Sequence, residues 1–148
     1  MVRRCALAPI ATRLHTALSR QPSAEHISWT IDIPETIQAP FDEFDLTELL
    51  GNLMDNAMKW ARGRIVLRAG HDADKTFLCV EDDGPGIPDE ARASVFERGG
   101  RLDAEKPGTG LGLSIAHEMA VTHHCELRLD RASLGGLQVR LTWPQIKE

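Results

Sequence analysis

The chain has only three cysteines, Cys5, Cys79 and Cys125, an odd number with no Cys-x-x-Cys spacing. That excludes a disulfide framework and points to a reduced, cytosolic compartment. Long apolar runs are also missing. None approaches the roughly 18 residues of a membrane span, and Met1-Val2-Arg3-Arg4 leads into no signal-peptide core. No Lys/Arg block exceeds a pair and the net charge is −5, so the footprint of a nucleic-acid binder is absent. His117-Glu118 lacks the second His of a zinc helix, and His123-His124-Cys125 reads as a helix exit rather than a ligand set. No motif supports Ser/His/Asp chemistry. What remains is 148 residues with 42% hydrophobic content, enough for one domain with a proper core.

Local signals order the chain. Arg3 to Arg20 reads as a helix with Leu7, Ile10, Ala11, Leu14, Ala17 and Leu18 on one stripe, broken by Gln21 to Glu25. Ile27 to Ile33 alternates at the strand period and Pro34 ends it. A helix follows from a cap at Asp45 to about Ala61, stopped by Gly63. Ile65–Ala69 and Thr76–Asp82 read as a hairpin through His71 to Asp74. A short helix starts at Pro88-Asp89-Glu90 and ends near Glu97. Arg98 to Pro107 is polar and glycine-punctuated, a mobile loop by composition. Gly110 to about His123 is helical. Glu126–Asp130 and Gln138–Trp143 make a closing hairpin around Ser133 to Gly136. No internal repeat is visible. Strands arriving in hairpins with helices between them predict an α+β two-layer sandwich.

The central helix carries the chemistry. At about 100° per residue, Glu48, Asn52, Asn56 and Lys59 fall within an arc of about 80°. Leu46, Leu49, Leu50, Leu53, Ala57, Trp60 and Ala61 occupy roughly the next 120°. Interior asparagines are poor helix formers, so something other than propensity favours them. Carboxamide oxygens and a carboxylate are hard ligands of the kind Mg²⁺ takes, and a lysine beside them suits a phosphate. A solvated amide pair is the bland reading of Asn52 and Asn56. For Glu48 it is a capping box, Asp45-x-x-Glu48, folded back on the helix start.

Two glycine clusters follow in order. Glu81-Asp82-Asp83-Gly84-Pro85-Gly86-Ile87-Pro88 comes after the apolar run Thr76 to Val80, and Pro107-Gly108-Thr109-Gly110-Leu111-Gly112-Leu113 opens a helical pattern. The first could be merely a turn. Yet a carboxylate ending a buried strand can accept hydrogen bonds from an exocyclic amine, and glycines let backbone approach a base closely. Asp83, by the strand period, points the other way. The second cluster is not a dinucleotide fingerprint, because no strand precedes it, nor a P-loop, because no Gly-Lys-Ser/Thr follows. Glycines before a helix still offer N–H groups to a phosphate at its positive end.

Asn-rich helix, strand ending in Asp-x-Gly-x-Gly, and Gly-x-Gly-x-Gly opening a helix together resemble the GHKL superfamily of gyrase-type ATPases, histidine kinases and MutL. The spacing looks most like the catalytic ATP-binding domain of a bacterial sensor histidine kinase, over about Ile27 to Trp143. The resemblance implies the Bergerat fold: a two-layer α/β sandwich, its mixed sheet mostly antiparallel, with about three helices on one face. It implies ATP and Mg²⁺ as cofactors, with Asn56 as the Mg²⁺ ligand and Asn52, Asn56 and Lys59 at the phosphates. Asp82 would bind the adenine amino group, beside Gly84, Gly86 and Ile87. Gly108, Thr109, Gly110, Leu111 and Gly112 would hold phosphates through the helix start. Arg101 and Lys106, with Thr109, occupy places where PhoQ-like kinases, which this segment is similar to, contact phosphates. Glu48, Asn52 and Lys59 are the catalytic candidates, Glu48 as a base in relatives that hydrolyse ATP.

The pattern is broken in two places. Neither His15 nor His26 has the His-Glu/Asp-x-x-x-Pro context of a phosphoacceptor. Residues 1–20 are therefore expected as a remnant of the dimerisation-domain helix or a linker, and 27–145 as the catalytic domain. Its partners would be the dimerisation/phosphoacceptor domain of the same protein and a response regulator, with no nucleic acid and no membrane insertion of this chain. The setting would be the cytoplasmic side of an inner-membrane-anchored sensor. The segment after Phe96 also lacks a second Phe, having Glu97-Arg98-Gly99-Gly100 instead. The rival readings are a GHKL ATPase fragment, in which Glu48 activates water, and an anti-sigma-type module that phosphorylates serine.

Overall fold

The computed structural model describes residues 3–95 and 109–146. In chain order the elements are β1 (Cys5–Ala6), α1 (Leu7–Ser19), a 3-10 turn (Pro22–Ala24), β2 (Ser28–Asp32), β3 (Gln38–Ala39) and α2 (Glu43–Trp60). There follow β4 (Arg64–Asp72), β5 (Lys75–Asp82), α3 (Asp89–Val95), α4 (Thr109–Thr122), β6 (Glu126–Arg131) and β7 (Leu137–Pro144). The main sheet runs β2-β4-β5-β7-β6. Its β2–β4 pair is parallel and the rest antiparallel, so the fold is the expected α+β sandwich.

Alternation decides which side chains enter the core. On β5, Thr76, Leu78, Val80 and Asp82 are buried on the inner row, and on β7 Leu137, Val139, Leu141 and Trp143 continue it. Helices α1 and α4 pack on α2, which in turn lies on β5, while α4 also meets β6. Burying each large aliphatic side chain contributes about 1.5–3 kcal/mol. The Trp143 indole N–H donates to the Gln38 carbonyl at 3.0 Å, tying β3 to β7.

The outer face of the sheet carries aromatic and charged contacts of its own. Phe77 lies opposite Gly70, where a Cβ would sit 3.2 Å from the ring. The Arg140 guanidinium stacks 4.2 Å from the Phe77 centroid, and Arg68 pairs with Glu81 at 2.8 Å. Cys79 is fully covered here, and burial pushes its thiol up.

Two local expectations, the start of the first helix and the length of the first long strand, need correction. Helix α1 starts at Leu7 rather than Arg3, because Cys5 and Ala6 pair with Ala39 and Gln38 and the Leu7 N–H donates to the Ile37 carbonyl. The break at Gln21 to Glu25 contains a 3-10 turn. The first long strand shortens to Ser28–Asp32. Residues 96–108 lie outside the described residues, and with them the expected loop from Arg98 to Pro107. Among the described residues, no helix is long and apolar enough to cross a membrane.

Candidate functional site

The start of α2 corrects the sequence reading of its cap. Asp42, in extended backbone, is the N-cap, and its Oδ1 accepts the Asp45 N–H at 2.7 Å. That amide, with the Arg3 guanidinium 2.8 Å away, holds the Asp42 carboxyl below the usual carboxylate range. Asp45 is therefore inside the helix, and the capping box that would have occupied Glu48 does not form there. Glu48 is exposed.

Along the same stripe the environment changes with each turn. Asn52 is half-buried, and its Nδ2 is shielded from water without a hydrogen-bond partner among the described residues. An orphaned buried amide costs about 1–3 kcal/mol, which the described residues alone do not offset. Asn56 is only 6% exposed, and Lys59 reaches Asp55 at 3.2 Å. Burial on α2 also spreads further than the expected apolar arc, to Met54 and Met58, because both α1 and α4 pack on this helix. The end of α4 is tied to the start of α2. The His123 ring sits 4.5 Å from Phe41, and its Nε2 lies 3.4 Å from the Asp45 carboxylate.

The helix ends near Ala61 as expected, two residues short of Gly63. It leaves at Ala61, which is extended, and Asp83 holds the turn that follows. Asp83 Oδ1 accepts the Arg62 N–H at 2.7 Å and the Gly63 N–H at 3.0 Å. Burial disfavours its charge, but the amides of Gly63, Arg64 and Arg62 outweigh that and hold the carboxyl below its ordinary range.

Asp82 faces inward at the end of β5 and is 2% exposed. Its Oδ1 accepts the Gly84 N–H at 2.8 Å and the Leu137 N–H at 3.4 Å. Burial pushes its pKa up, against the pull of those two amides. The glycines around it are compelled by close backbone. A Cβ on Gly84 would collide with the carbonyl of Trp60 at the end of α2. Gly86 has φ 73°, a left-handed conformation that favours glycine, and packs on Gly136. A Cβ on Gly136 would lie 2.6 Å from the Gly84 nitrogen. The loop Asp82–Ile87 is thus wedged between the end of the asparagine helix and the β6–β7 turn. Ile87 is half-buried against the core, and Arg92 donates to its carbonyl at 3.2 Å.

Thr109, Gly110, Leu111 and Gly112 form the first turn of α4. Among the described residues, no atom comes within 4 Å of where a Gly112 Cβ would sit, so packing among those residues does not require a glycine there. Arg101, Lys106 and Gly108 lie outside the described residues. Asp42, Asp83 and Gly136 were not singled out from the sequence as part of this arrangement. Asp83 carried one signal, its place beside Asp82 at a strand end. Gly136 read only as a turn residue.

The donor set suits a hard cation held together with phosphate: two carboxamides, one nearly buried and one with an orphaned amide. Among the described residues no group of three or more His, Cys, Asp or Glu gathers. A cation shared with substrate phosphates needs only one or two protein ligands.

Comparison with known proteins agrees with this geometry. The family described as histidine kinase-, DNA gyrase B-, and HSP90-like ATPase matches residues 41–147. Sensor protein kinase CarS of Pseudomonas aeruginosa is 43% identical over 118 residues, covering 80% of this chain and 26% of that protein. The two-component sensor PhoQ of the same organism is 36% identical over 140 residues, covering 95% and 31%. The mycobacterial sensor histidine kinase MprB superposes with a TM-score of 0.86 at 27% identity, over the whole of both chains. The chain spans under a third of the length of these curated relatives. With an asparagine helix, a buried aspartate ending a strand and a glycine-opened helix all in place, the chain belongs to the histidine kinase-, DNA gyrase B- and HSP90-like ATPase family.

Proposed function

We propose that this chain is the ATP-binding catalytic domain of a two-component sensor histidine kinase. It binds Mg-ATP and delivers the γ-phosphoryl to a histidine on a separate dimerisation/phosphoacceptor module of the same protein. The observation that carries this reading is the buried Asp82, whose glycine loop presses against the end of the helix bearing Asn52 and Asn56. Asp82 accepts from the adenine amine, with Gly84, Gly86 and Ile87 along the base. Asn52, Asn56 and Lys59 serve the phosphates, and the N–H groups of Gly108, Gly110, Leu111 and Gly112 continue the cradle. Arg101, Lys106 and Thr109 balance charge there. Asn56 would hold the Mg²⁺, which would supply charge neutralisation at the phosphates.

In the transfer, an imidazole nitrogen bonds to the γ-phosphorus and the β–γ bridging P–O bond breaks, leaving its electron pair on ADP. The ring proton passes to the carboxylate that follows the acceptor histidine in its His-Glu/Asp-x-x-x-Pro context, while Glu48, with the capping duty taken by Asp42, stays a catalytic candidate and the base of the ATPase alternative. In this reading residues 27–145 form the catalytic domain, residues 1–20 belong to the connection with the dimerisation helices, and a response regulator receives the phosphoryl group. The setting is the cytoplasmic side of a membrane-anchored sensor.

The test is incubation with γ-labelled ATP, with and without the acceptor module supplied in trans. Labelling should need the module and be base-stable and acid-labile, as phosphohistidine is. Acid-stable phosphoserine on a partner protein would favour the anti-sigma-type reading. Rapid phosphate release without any acceptor would favour an ATPase.

A further inference from the structure

The loop Asp82–Ile87 is short of backbone tethers. Pro85 and Pro88 have no N–H to give. Among the described residues, no backbone–backbone hydrogen bond from elsewhere in the chain reaches Gly84 to Ile87. Packing wedges Gly84 against the Trp60 carbonyl and Gly86 against Gly136. Ile87, one residue further on, lines a cavity of about 570 Å³ together with Pro85 and Pro88, so its main chain runs beside open space. Arg92 crosses to it from α3. Its Nε donates to the Ile87 carbonyl at 3.2 Å. Its Nη1 pairs with Asp89, one turn earlier, and lies 3.8 Å from Asp130 on β6. The side chain is only 23% exposed, so these contacts are screened less than a surface ion pair.

We propose that Arg92 is a positioning residue for nucleotide binding: it touches no part of ATP, and it holds the Ile87 backbone so that Gly86 and Ile87 keep to the base. The assignment rests on reading Asp82 to Ile87 as the adenine loop. An arginine paired with an aspartate three residues earlier on a helix is ordinary. Here the same side chain also ends on the carbonyl of a loop residue and reaches toward a second element of the sheet. Arginine suits that task, because its planar guanidinium holds donors in fixed directions and can serve a carbonyl and a carboxylate together. A lysine carries a compact charge on a flexible stem and cannot divide itself that way. Only four residues separate Ile87 from Asp82, so a displacement at Ile87 is carried back to the groups beside the base. Releasing Arg92 therefore costs contacts to adenine and spares the phosphate end on α2 and α4.

The test measures adenosine and ATP binding by calorimetry on the full-length protein carrying this chain, as wild type, Arg92→Ala and Arg92→Lys, well below each melting temperature. Both ligands should lose about tenfold in Arg92→Ala, the scale of one lost hydrogen bond from a charged donor. Arg92→Lys should recover only part of that. In labelling assays KM for ATP should rise about tenfold while kcat stays within about twofold. A lower melting temperature with unchanged adenosine affinity would make Arg92 merely structural and overturn the assignment. Loss of ATP affinity alone, or a fall in kcat, would put Arg92 at the phosphates and overturn it as well. So would full recovery by lysine, since the fork would then play no part. If Arg92→Ala does not fold, Arg92→Lys carries the same comparison: equal losses for adenosine and ATP support the assignment, and no loss overturns it. A wild type that binds neither adenosine nor ATP sinks the adenine reading itself, and this proposal with it.

Discussion

The Asp83 carboxylate accepts the Gly63 N–H at 3.0 Å, and so fastens the end of β5 to the turn that ends α2. Asp82, its neighbour, faces the core. Two adjacent carboxylates thus divide the work, one placing the helix and the other lining the candidate base site.

Asp83→Ala removes the acceptor for the Arg62 and Gly63 amides. Loss of about 1–3 kcal/mol is expected in urea unfolding at pH 7. The sign of the pH dependence follows from the lowered pKa. Stability from Asp83 is present above the unfolded value of about 3.9 and is lost as pH falls through the still lower folded value. The wild-type advantage should therefore shrink toward pH 3. An advantage independent of pH would mean that charge plays no part in this clamp.

How much of this was legible in the sequence differs by element. The sheet strands and α4 announced themselves through alternation and apolar spacing, and Asp82 through its place after an apolar run. The pairing of Cys5–Ala6 with Gln38–Ala39 did not, because a two-residue strand has no period to read. The cap was ambiguous for another reason. Asp42 and Asp45 both stand three residues before an acidic residue, and only backbone geometry decides which accepts an amide. The contact of Gly136 with Asp82 was hidden by distance along the chain. It follows from the β5–β7 register, in which Glu81 faces Gln138. Lys59 read as a phosphate ligand, and the structure adds its pairing with Asp55.

Asp82→Asn separates stability from binding. The mutant amide can still accept from Gly84 and Leu137, but it presents a donor where the adenine amine needs an acceptor. Losing a charge-assisted hydrogen bond of about 1.5–3 kcal/mol should cost roughly 10- to 150-fold in ATP affinity by calorimetry. GTP should bind the wild type poorly, and tight GTP binding would falsify the adenine assignment. Burial raises the folded pKa of Asp82 above its unfolded value. The charge therefore weighs against folding above the folded pKa, and its weight fades as pH falls toward about 4. The mutant should melt about 2–4 °C higher near pH 7.5 for each kcal/mol relieved, and no higher near pH 3.

Magnesium dependence tests the asparagine stripe. ATP affinity should fall at least about tenfold when EDTA removes the cation, since Asn52 and Asn56 would meet the phosphates partly through it, Lys59 contacting them directly. Adenosine, which has no phosphates, should bind equally with and without EDTA. Asn56→Ala should erase the magnesium effect on ATP while sparing adenosine. If the variant kept the full effect, the metal ligand would have to be sought elsewhere on α2.

The last prediction compares two adjacent glycines. Gly135 has φ 101° but open space at its Cβ position, so Gly135→Ala meets backbone strain alone, about 1 kcal/mol. At Gly136 a Cβ would sit 2.6 Å from the Gly84 nitrogen and also press on Asp82. Two of the atoms met, the Asp82 carbonyl oxygen and the Gly84 nitrogen, are backbone, and the Asp82 carboxylate is buried and hydrogen-bonded. The loop would have to shift, and overpacking of this kind costs about 1–3 kcal/mol. Because that loop also carries Asp82 and Gly86, Gly136→Ala should weaken ATP binding as well, whereas Gly135→Ala should leave it within about twofold. Melting curves and binding isotherms for the two variants check both halves. Equal affinities in the two variants would show that the β6–β7 turn does not hold the base loop in place.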